Sequence, residues 1–191
     1  MSDHKISRYP VPDVSDLPED IKQIILSIQE KSGFIPNVFL TLAHRPDEFR
    51  AFMAYHDALL ERDSNLTKAE KEMIIVATSN DNNCQYCVVA HGAILRIRAK
   101  NPLIADQIAV NYRKADITAK QKAMIEFAMK VSNDSRAIGD DDFETLRGHG
   151  FTDEDIWDIA GITAFFGLSN RMANFTSMRP NDEFFAMARG L

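Results

Sequence analysis

The sequence predicts an all-α fold, and three observations predict it. Apolar residues recur at the three- and four-residue intervals of a helix face, as in Ile21, Ile24, Ile25 and Ile28. A helix-start signal, a Thr followed three residues later by an acid or amide, occurs at Thr67/Glu70, Thr118/Gln121 and more loosely at Thr152/Asp155. No stretch alternates polar and apolar residues over the length of a useful strand, and the β-branched residues do not gather into short bounded runs. With 191 residues, 45% of them hydrophobic, the chain suits a single domain whose core needs no crosslinks.

Residues 1–18 carry Pro10, Pro12 and Pro18 among polar residues and read as an extended arm, because each proline lacks a donor and restricts its predecessor. From Glu19 a helical stripe runs to Gly33, a plausible C-cap. Pro36 opens a short segment through Ala43 with apolar Val38, Phe39, Leu40 and Leu42. Pro46 starts the next helix, where a first-turn proline sacrifices no hydrogen bond, and that helix continues to about Arg62. The helix begun by Thr67 is interrupted at Ser79–Asn83, since Asn and Asp favour caps and turns over helix interiors. A new helix starts near Asn82 or Asn83 and runs to about Lys100. Further helices span Pro102 to about Tyr112, Ala119–Val131, Asp140–Arg147, Asp153 to about Phe175, and Pro180 to about Ala188. In each capping signal an apolar residue precedes the Thr (Leu66, Ile117, Phe151), as in a hydrophobic staple. Aligning Thr67 with Thr152 suggests an internal helical-hairpin repeat, in which Ser169 and Met172 stand opposite Cys84 and Cys87.

A net charge of −6 argues against general binding to nucleic acid or anionic membranes. The N-terminus shows no signal peptide, and no apolar run reaches a membrane span, so a cytoplasmic protein is expected. In that compartment a lone cysteine pair is more often catalytic or metal-binding than a structural crosslink.

Both cysteines of the chain lie in Cys84-Gln-Tyr-Cys87-Val-Val-Ala-His91. On a helix, Cys84, Cys87 and His91 share one face. The thiolate is the nucleophile; a neighbouring base removes its proton and a helix N-terminus stabilises the anion. Glu72, twelve residues before Cys84, shares a face with Ile75, Val76 and Ser79 and can point inward to orient His91, as the third member of a triad does. Blander readings stay open: two inert buried thiols, a core histidine bonded to a carbonyl, a solvated Glu72, or a metal site built from Cys84, Cys87, His91 and Glu72. Dipole stabilisation favours Cys84 as the thiolate, and proximity to His91 favours Cys87. No glycine-rich dinucleotide fingerprint is present, and no cofactor is expected.

The spacing Glu72, eleven residues, Cys84, two residues, Cys87, three residues, His91 resembles the motif of the alkylhydroperoxidase AhpD family, within the carboxymuconolactone decarboxylase-like superfamily. The likeness covers residues 48–115 well, and Gly33-Phe-Ile-Pro36-Asn37 and Asn170-Arg171 resemble the peroxidase-related branch. The resemblance implies an AhpD-like helical fold, homo-oligomers, a peroxide substrate and an external dithiol or disulfide-reductase donor. It implies that Cys87 attacks the peroxide and Cys84 resolves the sulfenate, with Glu72 and His91 relaying the proton from Cys87. The family's second histidine, just before the second cysteine, is Tyr86 here, an auxiliary site residue that is a weak base at neutral pH. The alternatives are a decarboxylase-like lyase on the same scaffold and a zinc-binding structural or sensor protein. Contact surface for oligomers is expected from residues 36–43 and from Phe184 and Phe185.

Overall fold

The computed structural model describes residues 5–190, so the first residues of the arm, His4 among them, lie outside the described residues. Ten α-helices follow one another, and no strand occurs among the described residues. The arm is fastened to the far end of the chain. Arg8 N–H donates to Thr176 O at 2.6 Å and Arg179 N–H donates to Ile6 O at 3.0 Å.

Helix α1 (Glu19–Ser32) buries Ile21 and Ile25 and ends on Gly33 at φ 82°, the left-handed conformation that glycine adopts without steric cost. The segment after Pro36 is helical, α2 (Asn37–Leu42). Its first turn is tied to the C-terminal segment: Asn37 N–H donates to Asn181 Oδ1 at 2.7 Å, and Asn181 Nδ2 donates to Ile35 O at 2.9 Å. Helix α3 (Pro46–Leu60) starts on its proline as expected.

Helix α4 (Lys68–Asp81) is the hub, packed against α5 (Gln85–Ala99), α6 (Ile104–Asn111), α7 (Ala119–Asp134) and α9 (Asp153–Thr176). Lys71 through Ser79 are therefore buried without a break, with Met73–Ala77 in the main core. Lys71 is buried because its ammonium is fully used. Nζ donates to the carbonyls of Leu59, Leu60 and Arg62, which the end of α3 leaves without helical partners. All three Thr start signals form reciprocal capping boxes, at α4, α7 and α9.

The boundary beside the cysteines moves from expectation. Helix α4 continues through Ser79 and Asn80 to Asp81, because Ser79 is wholly buried on its inner face. The break falls instead at Asn83, at φ 51°, a left-handed position that asparagine tolerates better than most residues. The repeat stops short of a second hairpin. At the positions aligned with Asn82–Cys84, α9 carries Gly167, Leu168 and Ser169, has no left-handed residue, and runs on as one helix of 24 residues. Helix α8 (Asp140–Gly148) packs on α7 and α9, and the last helix is short, α10 (Asp182–Ala186). Arg96 of α5 holds α10 by donating to Phe184 O and Met187 O, both at 2.9 Å. Phe184 is consequently buried against Phe34 rather than offered as contact surface; Phe185 remains exposed.

Candidate active site

The α4–α5 hairpin and the C-terminal half of α9 build the site. Cys84 is the N-cap of α5, and its Sγ accepts a hydrogen bond from Cys87 N–H at 3.4 Å. The left-handed Asn83 just before it turns the chain so that Cys84 N–H also reaches Ser79 O, at 2.9 Å. Both thiols are free and buried, in an apolar cluster with Tyr86, Ala90, Ala173, Met178 and Phe184.

One turn further along α5, His91 Nδ1 lies 2.7 Å from Glu72 Oε2. Both side chains are mostly enclosed, with 15% and 5% exposed. A carboxylate partner fixes the proton on Nδ1 and leaves Nε2 as the basic nitrogen. The other carboxylate oxygen faces Arg98 Nε at 3.6 Å, and Phe166 stands edge-on to the imidazole with centroids 4.8 Å apart. Glu72 is thus inside the protein and not a solvated helix carboxylate.

Helix α9 contributes two polar groups that the sequence left without a role. Ser169 Oγ lies 3.9 Å from Cys87 Sγ. Asn170, wholly buried, donates through Nδ2 to Ser79 Oγ at 2.9 Å, and its Oδ1 accepts from Asn82 Nδ2 at 3.0 Å. Asn82 Nδ2 also donates to Thr78 O. Asn82 is therefore the donor of the pair, and the Asn170 amide must turn its oxygen to Asn82 and its NH2 to Ser79 and the sulfurs.

The two thiols diverge electrostatically. Cys84 is lowered from an ordinary 9.0 to about 7, first by the hydrogen bond from the Cys87 thiol. Burial opposes this, while the Cys87 backbone N–H, the Asn170 amide and the field of His91 add to it. Cys87 is pushed well above the ordinary value, because it serves as the donor to Cys84, is buried, and sits beside that sulfur's charge. Tyr86 is raised by burial, and its hydroxyl accepts from Val38 N–H at 3.1 Å. It is a neutral pin between α5 and α2. Among the described residues no group of three His, Cys, Asp or Glu side chains is placed to hold a metal ion, so Cys84, Cys87, His91 and Glu72 do not converge as a ligand set.

Residues 46–102, which include the whole Glu72–Cys84–Cys87–His91 constellation, match the model of the carboxymuconolactone decarboxylase family. No curated protein matches the chain. A crystal structure described as alkylhydroperoxidase AhpD core, an uncharacterized peroxidase-related protein from Ralstonia eutropha JMP134, is 69% identical and superposes with a TM-score of 0.97. That match covers 97% of this chain and 98% of the other. The chain belongs to the AhpD-like carboxymuconolactone decarboxylase superfamily. An uncharacterized peroxidase-related protein from Silicibacter sp. TM1040 is 39% identical, with a TM-score of 0.93 over 99% of each chain. The debrominase Bmp8 in its apo form shares the AhpD-like fold alone, at 19% identity and TM-score 0.77 over 96% of this chain and 95% of its own.

Within this AhpD-like frame, Asn170 and Ser169 are the site residues that spacing did not find. They lie more than 80 residues beyond the cysteines and reach them only through tertiary packing. Two signals bore on Asn170, a polar side chain within the apolar pattern of a long helix and the likeness of Asn170-Arg171 to the peroxidase-related branch, and neither placed it beside the sulfurs.

Proposed function

We propose that the protein is a thiol-dependent hydroperoxidase and disulfide reductase working through Cys84 and Cys87. The observation that carries this reading is the asymmetry of the pair: one sulfur is an N-cap acceptor with its thiol held near neutrality, and the other is the proton donor beside it. At neutral pH Cys84 holds the thiolate. It attacks the terminal oxygen of ROOH; the S–O bond forms, the O–O bond breaks, the hydroperoxide's own proton stays on the sulfenic acid, and RO⁻ leaves and takes a proton from solvent to become ROH. The Cys87 thiol, deprotonated by His91 Nε2 with Glu72 behind it, then attacks the sulfenic sulfur. The S–S bond forms, the S–O bond breaks, and the departing hydroxide takes the proton back from His91 and leaves as water. An external dithiol restores both thiols with two electrons.

This order exchanges the two roles that the family resemblance implies, and labelling distinguishes them. Alkylation of the reduced protein below neutral pH, followed by mass spectrometry, is expected to modify Cys84 first. Cys87 modified first would restore the other order. One equivalent of alkyl hydroperoxide should remove two free thiols per chain in the wild type and leave no disulfide in Cys87→Ser. Thiols unmoved by hydroperoxide would overturn the peroxidase reading. The protein is further proposed to act as a homo-oligomer, supported by apolar side chains left on its surface, the largest of them Trp157 at 72% exposed.

A further inference from the structure

The ground beside the sulfurs is not electrically neutral. A cleft of about 350 Å³ opens between the residues flanking Cys84 and the chain around the end of α9. Tyr86, Ala173 and Met178 line it and belong to the same packed cluster as the two sulfurs. Among the described residues, the charged side chains in its lining are Lys5 and Arg179, and no carboxylate takes part. The chain as a whole is acidic, with 28 acidic against 22 basic side chains, and eight arginines elsewhere are held in ion pairs. Among the described residues neither Lys5 nor Arg179 has an ion-pair partner. Arg179 is also fixed in place from both sides of its backbone, by its N–H to Ile6 O and by Asn37 Nδ2 donating to its carbonyl at 2.8 Å.

We infer that this cleft is the substrate entrance and that it selects organic hydroperoxides carrying a carboxylate. The carboxylate stays at the mouth with Arg179 and Lys5, the apolar middle lies on Tyr86, Ala173 and Met178, and the peroxide end reaches the cysteine pair. A guanidinium is suited to this role because it binds a carboxylate through two parallel donors. Met178, unbranched and flexible, is the part of the floor most easily displaced to uncover the sulfurs. The inference rests on the peroxidase reading for its chemistry, but the charge of the entrance is testable without turnover.

The test uses two near-isosteric alkylating reagents, anionic iodoacetate and neutral iodoacetamide. Each forms an S–C bond to the thiolate and expels iodide. Their rates on the reduced protein are each normalised to a small free thiol. The normalised iodoacetate-to-iodoacetamide ratio is expected to exceed one, to fall roughly threefold in Arg179→Gln and further in Lys5→Gln/Arg179→Gln, and to fall with added salt. A ratio of one, a ratio unmoved by both substitutions, or no labelling by either reagent would overturn the inference. A second arm compares a carboxylate-bearing alkyl hydroperoxide with its methyl ester. The ester-to-acid KM ratio should drop in Arg179→Gln by the same factor. If neither hydroperoxide consumes thiols while the alkylation ratio behaves as expected, the peroxidase reading fails and the anion-selective entrance stands.

Discussion

Asn170 is uncharged and out of contact with solvent, yet it favours the thiolate at both sulfurs. Its amide lowers both thiols, and its orientation is fixed by two partners on the α4–α5 turn, Ser79 and Asn82. Removing it has two separable consequences. Asn170→Ala leaves Ser79 and Asn82 short of a buried partner and is expected to lower stability by about 1–3 kcal/mol. It also removes a donor from Cys84, so the thiolate midpoint should rise, by up to about one pH unit for a hydrogen bond of ordinary strength. Asn170→Asp keeps the volume but puts a carboxylate beside the sulfurs, and the midpoint should rise further than in Asn170→Ala. Thiolate ultraviolet absorbance followed against pH reads this order directly; a purely structural residue would change the melting temperature and leave the midpoint in place. The charged residues of the site were more legible. Glu72 and His91 lie on helices whose periodicity already brought them inward, and their 2.7 Å contact needs only that α4 and α5 form a tight antiparallel pair. Asn170 was not legible, because nothing local tells a polar residue that caps a neighbour from one that faces a cavity.

At the scale of the element, the first turn of α5 couples redox chemistry to folding. An N-cap sulfur is stabilised as an anion by the free amides of the turn, here Cys87 N–H, so the folded state gives up the Cys84 proton before the unfolded chain does. The sign follows. The Cys84 contribution to stability is present above the unfolded thiol value, about 8.5, and is lost as pH falls through about 7. Cys87 works in the opposite direction and withdraws stability at pH above the unfolded value, since its folded pKa is raised. The reduced protein is therefore expected to gain melting temperature between pH 7 and about 8.5, by more than Cys84→Ser gains. Scans of both proteins under reducing conditions check it, and parallel pH profiles would show that the N-cap anion is absent. The same turn explains where sequence reading slipped. Asn80 and Asp81 look like helix breakers, but burial of the residues before them carried α4 through to Asp81, and only Asn83 took the left-handed conformation. The capping boxes were read correctly because both partners of each box lie within one turn of sequence.

For the whole molecule, α9 raises a question of assembly. One face of this helix lies in the core beside α4, α5 and α7. Along the other face, Trp157, Ala164, Leu168 and Phe175 are exposed at successive spacings of seven, four and seven residues, with Gly167 between them, and Tyr55 of α3 is exposed as well. Sequence periodicity did not reveal this face, since apolar residues all round a helix read simply as burial on all sides. Phe184, expected to make contacts between subunits, is instead spent on the core under Arg96. If copies of the chain meet, α9 is the face that covers the largest apolar side chains from water, with small residues at its centre that let two helices approach closely. Trp157 is the sole tryptophan and a built-in reporter. Its emission should shift to the blue as the protein is concentrated, in step with the rise in sedimentation coefficient, because an indole 72% exposed in the single chain becomes enclosed. Ala164→Arg places a charge at the middle of the face without touching the core. It is expected to hold the protein as a monomer, with red emission at every concentration and the melting curve close to that of dilute wild type. An Ala164→Arg protein that still sediments with the wild type, its tryptophan emission unchanged, would move the interface away from α9.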